Sequence, residues 1–322
     1  MKLVIGRAKS SYAPALTRAK GITGRISMTV SLDRYTRPAA IRSHQLGEHR
    51  ITYLPDGAAL LRPQAWLPNA DEGIWKDFAY LIRSDGRLMA SIGALLVEHG
   101  NRAMLIDAGF GPLAVPTLYG LVRGGQLLES LVAVGKTLAD IELIALTQLH
   151  LDHIGWLWQS VPSTAVRPFA QTPVLVGAAG WRNRKLANSV GVNSEMLGVF
   201  APRVRTVTDG EEIFPGVRAL AMPGHSLEHL AYVITSHRSR LIVFGDVIQT
   251  PLQITHPALT APCDHRSAEA VTTRRILIGE LTVPGTFGFG LHFADVQLGR
   301  VIPSREGRPA WWPNGNPGGF VV

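Results

Sequence analysis

Thr147-Gln148-Leu149-His150-Leu151-Asp152-His153 sets two imidazoles, a carboxylate and a carboxamide within seven residues. In an extended segment alternate side chains share a face, so Gln148 and His150 can point at one ion while Asp152 and His153, past a bend, point at a second. Imidazole nitrogen and carboxylate oxygen are the usual ligands of catalytic zinc, and three protein ligands leave a position open for water. The remaining donors stand downstream in order: His225 in Met222-Pro223-Gly224-His225-Ser226, Asp246 in Phe244-Gly245-Asp246, and His292 in Gly290-Leu291-His292-Phe293. A lone His-x-Asp-His is as readily an ordinary polar loop. Three further donors, each closing a strand-like run, outweigh that reading.

The text on either side supplies the scaffold. Ile141 to Leu146 reads as a buried strand running into the cluster. Leu88 to Val97, the turn Glu98-His99-Gly100-Asn101 and Arg102 to Ile106 read as a hairpin feeding the glycine loop Asp107-Ala108-Gly109-Phe110-Gly111. Gln126 to Val134 has helical spacing, and Gly135 can stop it. Beyond the cluster, Pro173 to Val176 predicts a strand, Ala178 to Asn188 a helix, and Arg203 to Val207 and Val217 to Met222 further strands, with a turn at Asp209-Gly210. Leu230 to Thr235 and Arg240 to Phe244 predict a hairpin, Ser267 to Glu280 a helix, and Phe287 to Ile302 a last strand pair. Two strand-rich halves, each with helices, predict an α/β chain folded as an αββα sandwich. Residues 62–78 contain Pro, Asn and Trp without a period and predict a long functional loop.

With 322 residues, 46% hydrophobic and 17% charged, the chain has the composition of an ordinary globular protein. We expect a single domain over residues 46–322, preceded by residues 1–45 as a basic extension or an arm that packs on a second subunit. Lys2, Arg7, Lys9, Arg18, Lys20 and Arg25 precede the first acid, Asp33, and account for much of the net charge of +8. Charge alone argues about association rather than chemistry. No basic and aromatic stripe flanks the histidine motif, so no nucleic-acid partner is expected. The apolar runs fall short of the roughly 20 residues of a spanning helix, so no membrane partner is expected either. The N-terminal text lacks the apolar core of a secretory signal. The single cysteine, Cys263, is expected to be an inert small apolar residue, compatible with a cytoplasmic location.

The ligand set resembles the metallo-β-lactamase superfamily, whose pattern is His-x-His-x-Asp-His followed by His, Asp and His. The likeness covers about residues 48–305. The intervals separating the motif, His225, Asp246 and His292 are similar to those of the lactonase and methyl-parathion-hydrolase-like branch. So is the text from Leu146 to Trp156, and from His256-Pro257 through Asp264 to Thr273-Arg274. The resemblance implies the αββα fold, a dinuclear centre and a homodimer. Carried over by position, it implies one ion on Gln148, His150 and His225, a second on Asp152, His153 and His292, and Asp246 bridging both. Asp152 and Asp246 would be the catalytic carboxylates, ligands first and proton carriers second. Asp107 would steady the metal loop, and His229 would be structural. The departure is Gln148, where the family has His. A carboxamide oxygen is a weaker zinc donor than an imidazole, so the first site should lose affinity.

The resemblance implies a metal-dependent hydrolase that cleaves a lactone, an ester or a related activated bond of a small-molecule substrate with a metal-bound hydroxide. Zinc, as one or two ions, is the expected cofactor, with iron or manganese as alternatives. Three other readings compete. An iron-dependent redox enzyme suits the harder oxygen donor at Gln148, a nuclease suits the positive charge, and a catalytically degenerate binding protein suits the altered ligand. His44, His49, His99 and His237 read as solvent or turn histidines. His256 and His265 read as pocket candidates, and Trp66, Trp75, Trp156 and Trp158 as substrate wall or core. Specificity is expected in residues 62–78 and 110–126.

Overall fold

Consecutive residues of the central strands are apolar, so both faces of each sheet need cover. In a computed structural model that describes residues 31–162, 164–304 and 306–314, two sheets meet this need by stacking on each other. The basic residues before position 31 lie outside the described residues.

The first sheet is built from β1 (Arg42–Leu46), β2 (His49–Leu61), β3 (Leu88–His99), β4 (Arg102–Ile106), β5 (Ala114–Pro116), β6 (Gly120–Arg123), β7 (Leu143–Ala145), β8 (Val174–Gly177) and β9 (Val204–Val207). Its order is β5-β6-β2-β3-β4-β7-β8-β9, with β1 paired to β2. The second sheet runs in sequence order through β10 (Glu212–Phe214), β11 (Val217–Ala221), β12 (Leu230–Ser236), β13 (Ser239–Val243), β14 (Thr286–Phe289), β15 (Leu298–Pro303) and β16 (Pro309–Pro313).

Alternation along the strands sorts the core into layers. Leu95 and Val97 of β3 face Tyr232, Leu241 and Val243 of the other sheet. Their neighbours Ala94 and Leu96 pack outward against Leu127, Leu131, Ile154 and Leu197 of the helices over that face. On the far side Ile242 and Phe244 pack with Leu277, Ile278 and Leu281 of the helix Ser267–Leu281. The architecture is therefore the expected αββα sandwich.

Three expectations change. Residues 62–78 hold two short helices, Pro63–Trp66 and Glu72–Asp77, rather than a long loop. Pro63 presets the first helical φ, and the Asp71 carboxylate caps the second helix by accepting Ile74 N–H at 2.8 Å. Leu67, Ala70 and Trp75 bury against the far ends of β2 and β3. The single helix expected over Ala178 to Asn188 is a helix at Ala178–Arg182 followed by a 3-10 segment, Arg184–Val190, which ends on Gly191 at φ +87°. The boundary drawn between residues 45 and 46 falls inside β1, whose Leu46 pairs with His49.

One buried acid joins the pieces around the future site. Pro55 pairs with Gly93 and Gly57 with Ile92, which leaves Asp56 as the extra residue of a β-bulge. Its carboxylate, fully buried, accepts N–H from Phe110 (2.7 Å), Gly111 (3.0 Å), Gly125 (3.1 Å), Leu127 (2.9 Å) and the Trp156 indole (2.8 Å). A buried carboxylate is costly unless hydrogen bonds satisfy it. Here they fasten β2 to the glycine loop and to two helices at once. Asp56→Asn turns an acceptor into an N–H group facing N–H groups, and is expected to lower the free energy of chemical unfolding by about 3 kcal/mol. A loss under about 0.5 kcal/mol, the range of ordinary surface substitutions, would contradict this role.

Candidate metal centre

The sandwich gathers several loops at one edge. β4, β7 and β8 are mutually parallel, and so are β13 and β14, while β11 and β13 share a direction through the antiparallel β12 between them. Asp107 follows β4, residues 146–150 follow β7, His225 follows β11, Asp246 follows β13 and His292 follows β14. The sheets are joined at this edge by Leu230 N–H on the Thr147 carbonyl (2.8 Å) and the Tyr232 hydroxyl on the Leu146 carbonyl (2.7 Å). His150 is the N-cap of the helix Leu151–Trp158, which turns Asp152 and His153 back over the strand end. Gly155 lets that helix sit on the glycine loop, since a Cβ there would stand 2.0 Å from the Phe110 carbonyl carbon.

Six of the seven expected donors form two groups, and Gln148, expected with His150 and His225, lies beside His153 instead. His150, His225 and Asp246 form one group, and Asp152, His153 and His292 a second, with donor atoms inside each group within 4.8 Å of one another. Asp246 stands between them. Its Oδ1 lies 3.2 Å from His153 Nε2 and 2.9 Å from His292 Nε2, and its Oδ2 lies 3.2 Å from His225 Nε2. His225 Nε2 is 3.3 Å from His150 Nδ1, and the Asp152 oxygens approach His153 and His292 at 3.6 and 3.7 Å. Gln148 is buried, with its Nε2 3.1 Å from His153 Nε2 and its Oε1 lacking any hydrogen-bond partner among the described residues.

The outer nitrogens of three imidazoles are already committed. His153 Nδ1 donates to Asp107 Oδ2 (2.9 Å), His225 Nδ1 to Asp264 Oδ1 (2.8 Å) and His292 Nδ1 to the Ser91 carbonyl (2.8 Å). Each such bond fixes the tautomer and leaves the Nε2 lone pair facing inward. There it meets a carboxylate oxygen. Acceptor against acceptor at such distances is repulsive unless a positive charge stands between, which is the environment a divalent cation fits. With protons alone to fill that role, the pKa rises at His153, His225 and His292. Burial opposes a charge on His153, but the Asp107, Asp152 and Asp246 carboxylates outweigh it and raise its pKa well above the usual value. Against burial, Asp246 and Asp264 lift His225 to about 9. His150, by burial and by its neighbour His225, is pushed down to about 3. Burial would raise Asp246, yet His292, His153 and His225 hold it well below the carboxylate range.

His229, set aside as structural, accepts the Asp246 N–H at 3.0 Å through Nε2 and is fully buried. Asp107 also accepts Thr147 N–H and its hydroxyl at 2.8 Å each. Asp264, Ser91 and Asp56 carry weight that their local sequence does not announce. His265 lines the cavity over the centre, whereas His256 packs on Phe78 with ring centroids 5.4 Å apart. His49 is buried, not solvent-facing, because its Nε2 reaches the Pro215 carbonyl at 2.7 Å across the two sheets. Trp66 lines the cavity, while Trp156 belongs to the core and to Asp56. Cys263 also lines the cavity, its thiol pushed up by burial.

The chain is matched over residues 93–281 by the family model of the metallo-beta-lactamase superfamily. No curated protein matches it in sequence. Among solved structures, AidC, a dizinc quorum-quenching lactonase in complex with a product, superposes with a TM-score of 0.72 at 21% identity, covering 86% of this chain and 98% of that one. The hydrolase AbOPH of the beta lactamase superfamily gives 0.71 at 24% identity, covering 87% and 99%. A probable metal-dependent hydrolase from Staphylococcus aureus gives 0.72 at 18% identity, covering 84% and 98%.

The asymmetry at Gln148 has a measurable consequence. After loading with zinc and dialysis against a weak chelator, the protein is expected to keep about one ion per chain, and Gln148→His about two, because imidazole replaces a weaker donor. Equal metal content in the two proteins would remove Gln148 as the limiting donor.

Proposed function

Because this chain belongs to the metallo-beta-lactamase superfamily, we propose that it is a metal-dependent hydrolase that opens a lactone or a related activated ester. The observation that carries this reading is the Asp246 carboxylate, which offers one oxygen to His153 and His292 and the other to His225. Gln148, His150 and His225 would hold one divalent ion, zinc by donor type, and Asp152, His153 and His292 a second, with Asp246 shared. Bound there, such an ion lowers the pKa of a water to about 7 and polarises the carbonyl to be attacked.

The chain's own groups do the rest. Asp107, Asp264 and Ser91 hold three imidazoles in register through their Nδ1 protons. Asp152, its side chain 27% exposed, faces the cavity and is the carboxylate best placed to pass a proton to the leaving alkoxide. The water oxygen adds to the carbonyl carbon, the ring C–O bond breaks, and the proton ends on the departing oxygen.

The cavity of about 680 Å³ suits a small ester with an apolar body. Leu61, Trp66, Ile92, Phe110 and Tyr119 line it with apolar surface, and Asn183, Arg184 and Glu228 add polar groups. Among the described residues that line it, Arg184 is the one Lys or Arg. A nucleic-acid backbone calls for several such contacts, so the lining favours the ester over the nuclease. AidC is a lactonase and the other two structures are hydrolases, which points the same way.

The metal-loaded protein is expected to turn over lactones faster than phosphotriesters or β-lactams, and chelation to abolish the activity until a divalent ion is returned. Asp246→Asn is expected to lower kcat/KM by more than about 100-fold, beyond the loss typical of an outer partner. Protein that holds at least one ion per chain yet cleaves no lactone, ester, thioester, phosphotriester or β-lactam would sink the proposal.

A further inference from the structure

The segment ahead of β1 is tied to the loop that carries His292 by a dense set of bonds. Asp295, three residues after His292, has a side chain only 1% exposed. Its Oδ2 accepts Arg34 Nε (3.1 Å), Arg37 Nε (3.0 Å) and Nη2 (2.8 Å), and Arg42 Nη2 (2.8 Å), while its Oδ1 accepts Arg42 Nε (2.9 Å). Arg34 also donates to the Asp295 carbonyl, and Asp295 N–H returns to the Arg34 carbonyl at 3.0 Å. One arginine would neutralise one carboxylate. Three converge here, although burial, and then their mutual repulsion, lower the pKa of Arg34.

A second tie reaches the same loop from Ser91 in β3. Its hydroxyl donates to the Ala294 carbonyl (2.9 Å) and accepts the N–H of Ala39 (2.8 Å), a buried residue of the same segment. Its own carbonyl accepts His292 Nδ1–H at 2.8 Å. Between His292 and Asp295, Ala294 sits at φ +41°, a left-handed conformation that a residue with a Cβ keeps only where its surroundings over-determine it. The arginine clamp and Ser91 are those surroundings.

We propose that Asp295 is a positioning residue for the centre. Docking of residues 34–42 on it holds the turn 292–295, and with it the His292 imidazole, against Asp152 and Asp246, and so sets how long an ion is retained beside Asp152, His153 and His292. The inference rests on His292 being a metal ligand.

The rate at which zinc-loaded protein gives up metal to an excess of chromogenic chelator tests this without recourse to activity. Asp295→Asn is expected to release the tighter ion on the order of ten to a hundred times faster, the range typical of partners that orient ligands. The double variant Arg37→Gln/Arg42→Gln should fall between it and the unaltered protein, and Arg42→Lys, which keeps a charged donor, should restore slow release relative to Arg42→Gln. Ile213→Ala opens a cavity in the core at β10, four strands from the β14 that leads into this loop, and should lower the thermal midpoint of the metal-free protein while leaving release unchanged. If Asp295→Asn does not fold, the double variant decides alone. Clamp variants that hold zinc and release it at the unaltered rate overturn this proposal alone, as does equal acceleration in Ile213→Ala at matched loss of stability. An unaltered protein that binds no zinc overturns the metal reading and this inference together.

Discussion

The carboxylate of Asp246 sits among inward-facing imidazole nitrogens at 2.9 to 3.2 Å, and those nitrogens have no freedom to turn away, because Asp107, Asp264 and the Ser91 carbonyl hold the opposite side of each ring. Much of the surrounding fold serves that confrontation. Gly245 takes φ +48°, where an added Cβ would strike the His229 ring at 2.6 Å, and His229 in turn receives the Asp246 N–H. Lone pairs forced together in a buried place are expensive unless a cation is shared among them. Under the proposed function, a divalent ion would be the charge shared among them.

The αββα layers explain how donors so distant in sequence reach one point. Each donor segment follows a strand end at the same edge, and the two sheets are stitched there by Leu230 on Thr147 and Tyr232 on Leu146. Asp56 and Asp295 do for the periphery what Asp107 and Asp264 do for the centre. One buries a carboxylate under N–H groups of the glycine loop and of two helices. The other gathers arginines of the segment before β1 and the arginine that opens β1. Neither touches the reacting region, yet each fixes a loop that does.

Where local pattern and tertiary need coincide, the chain was readable. The hairpin of β3 and β4, the β7 strand entering the histidine cluster, the β12 and β13 pair and the helix Ser267–Leu281 all have a period or a turn that declares them. The seven candidate donors stood out because their residue types and order are unusual together, and the fold brings six of them into two groups. The short helices at Pro63–Trp66 and Glu72–Asp77 escaped, since four to six residues are too few to display a period, although Pro63 and the Asp71 cap stood in the text. Asp56 and Asp295 could not be recognised locally. Their partners lie 54 to 100 residues away for Asp56 and 253 to 261 for Asp295, and only the folded chain brings them together. Gln148 was legible as a departure, but not that its amide nitrogen would lie beside His153 with its oxygen unpartnered.

Anomalous diffraction at the zinc edge from crystals of the metal-loaded protein should show a strong peak bounded by Asp152, His153, His292 and Asp246 Oδ1, and a weaker one beside His150, His225 and Asp246 Oδ2. No peak in either place, or a dominant peak elsewhere on the molecule, would contradict a metal centre around Asp246.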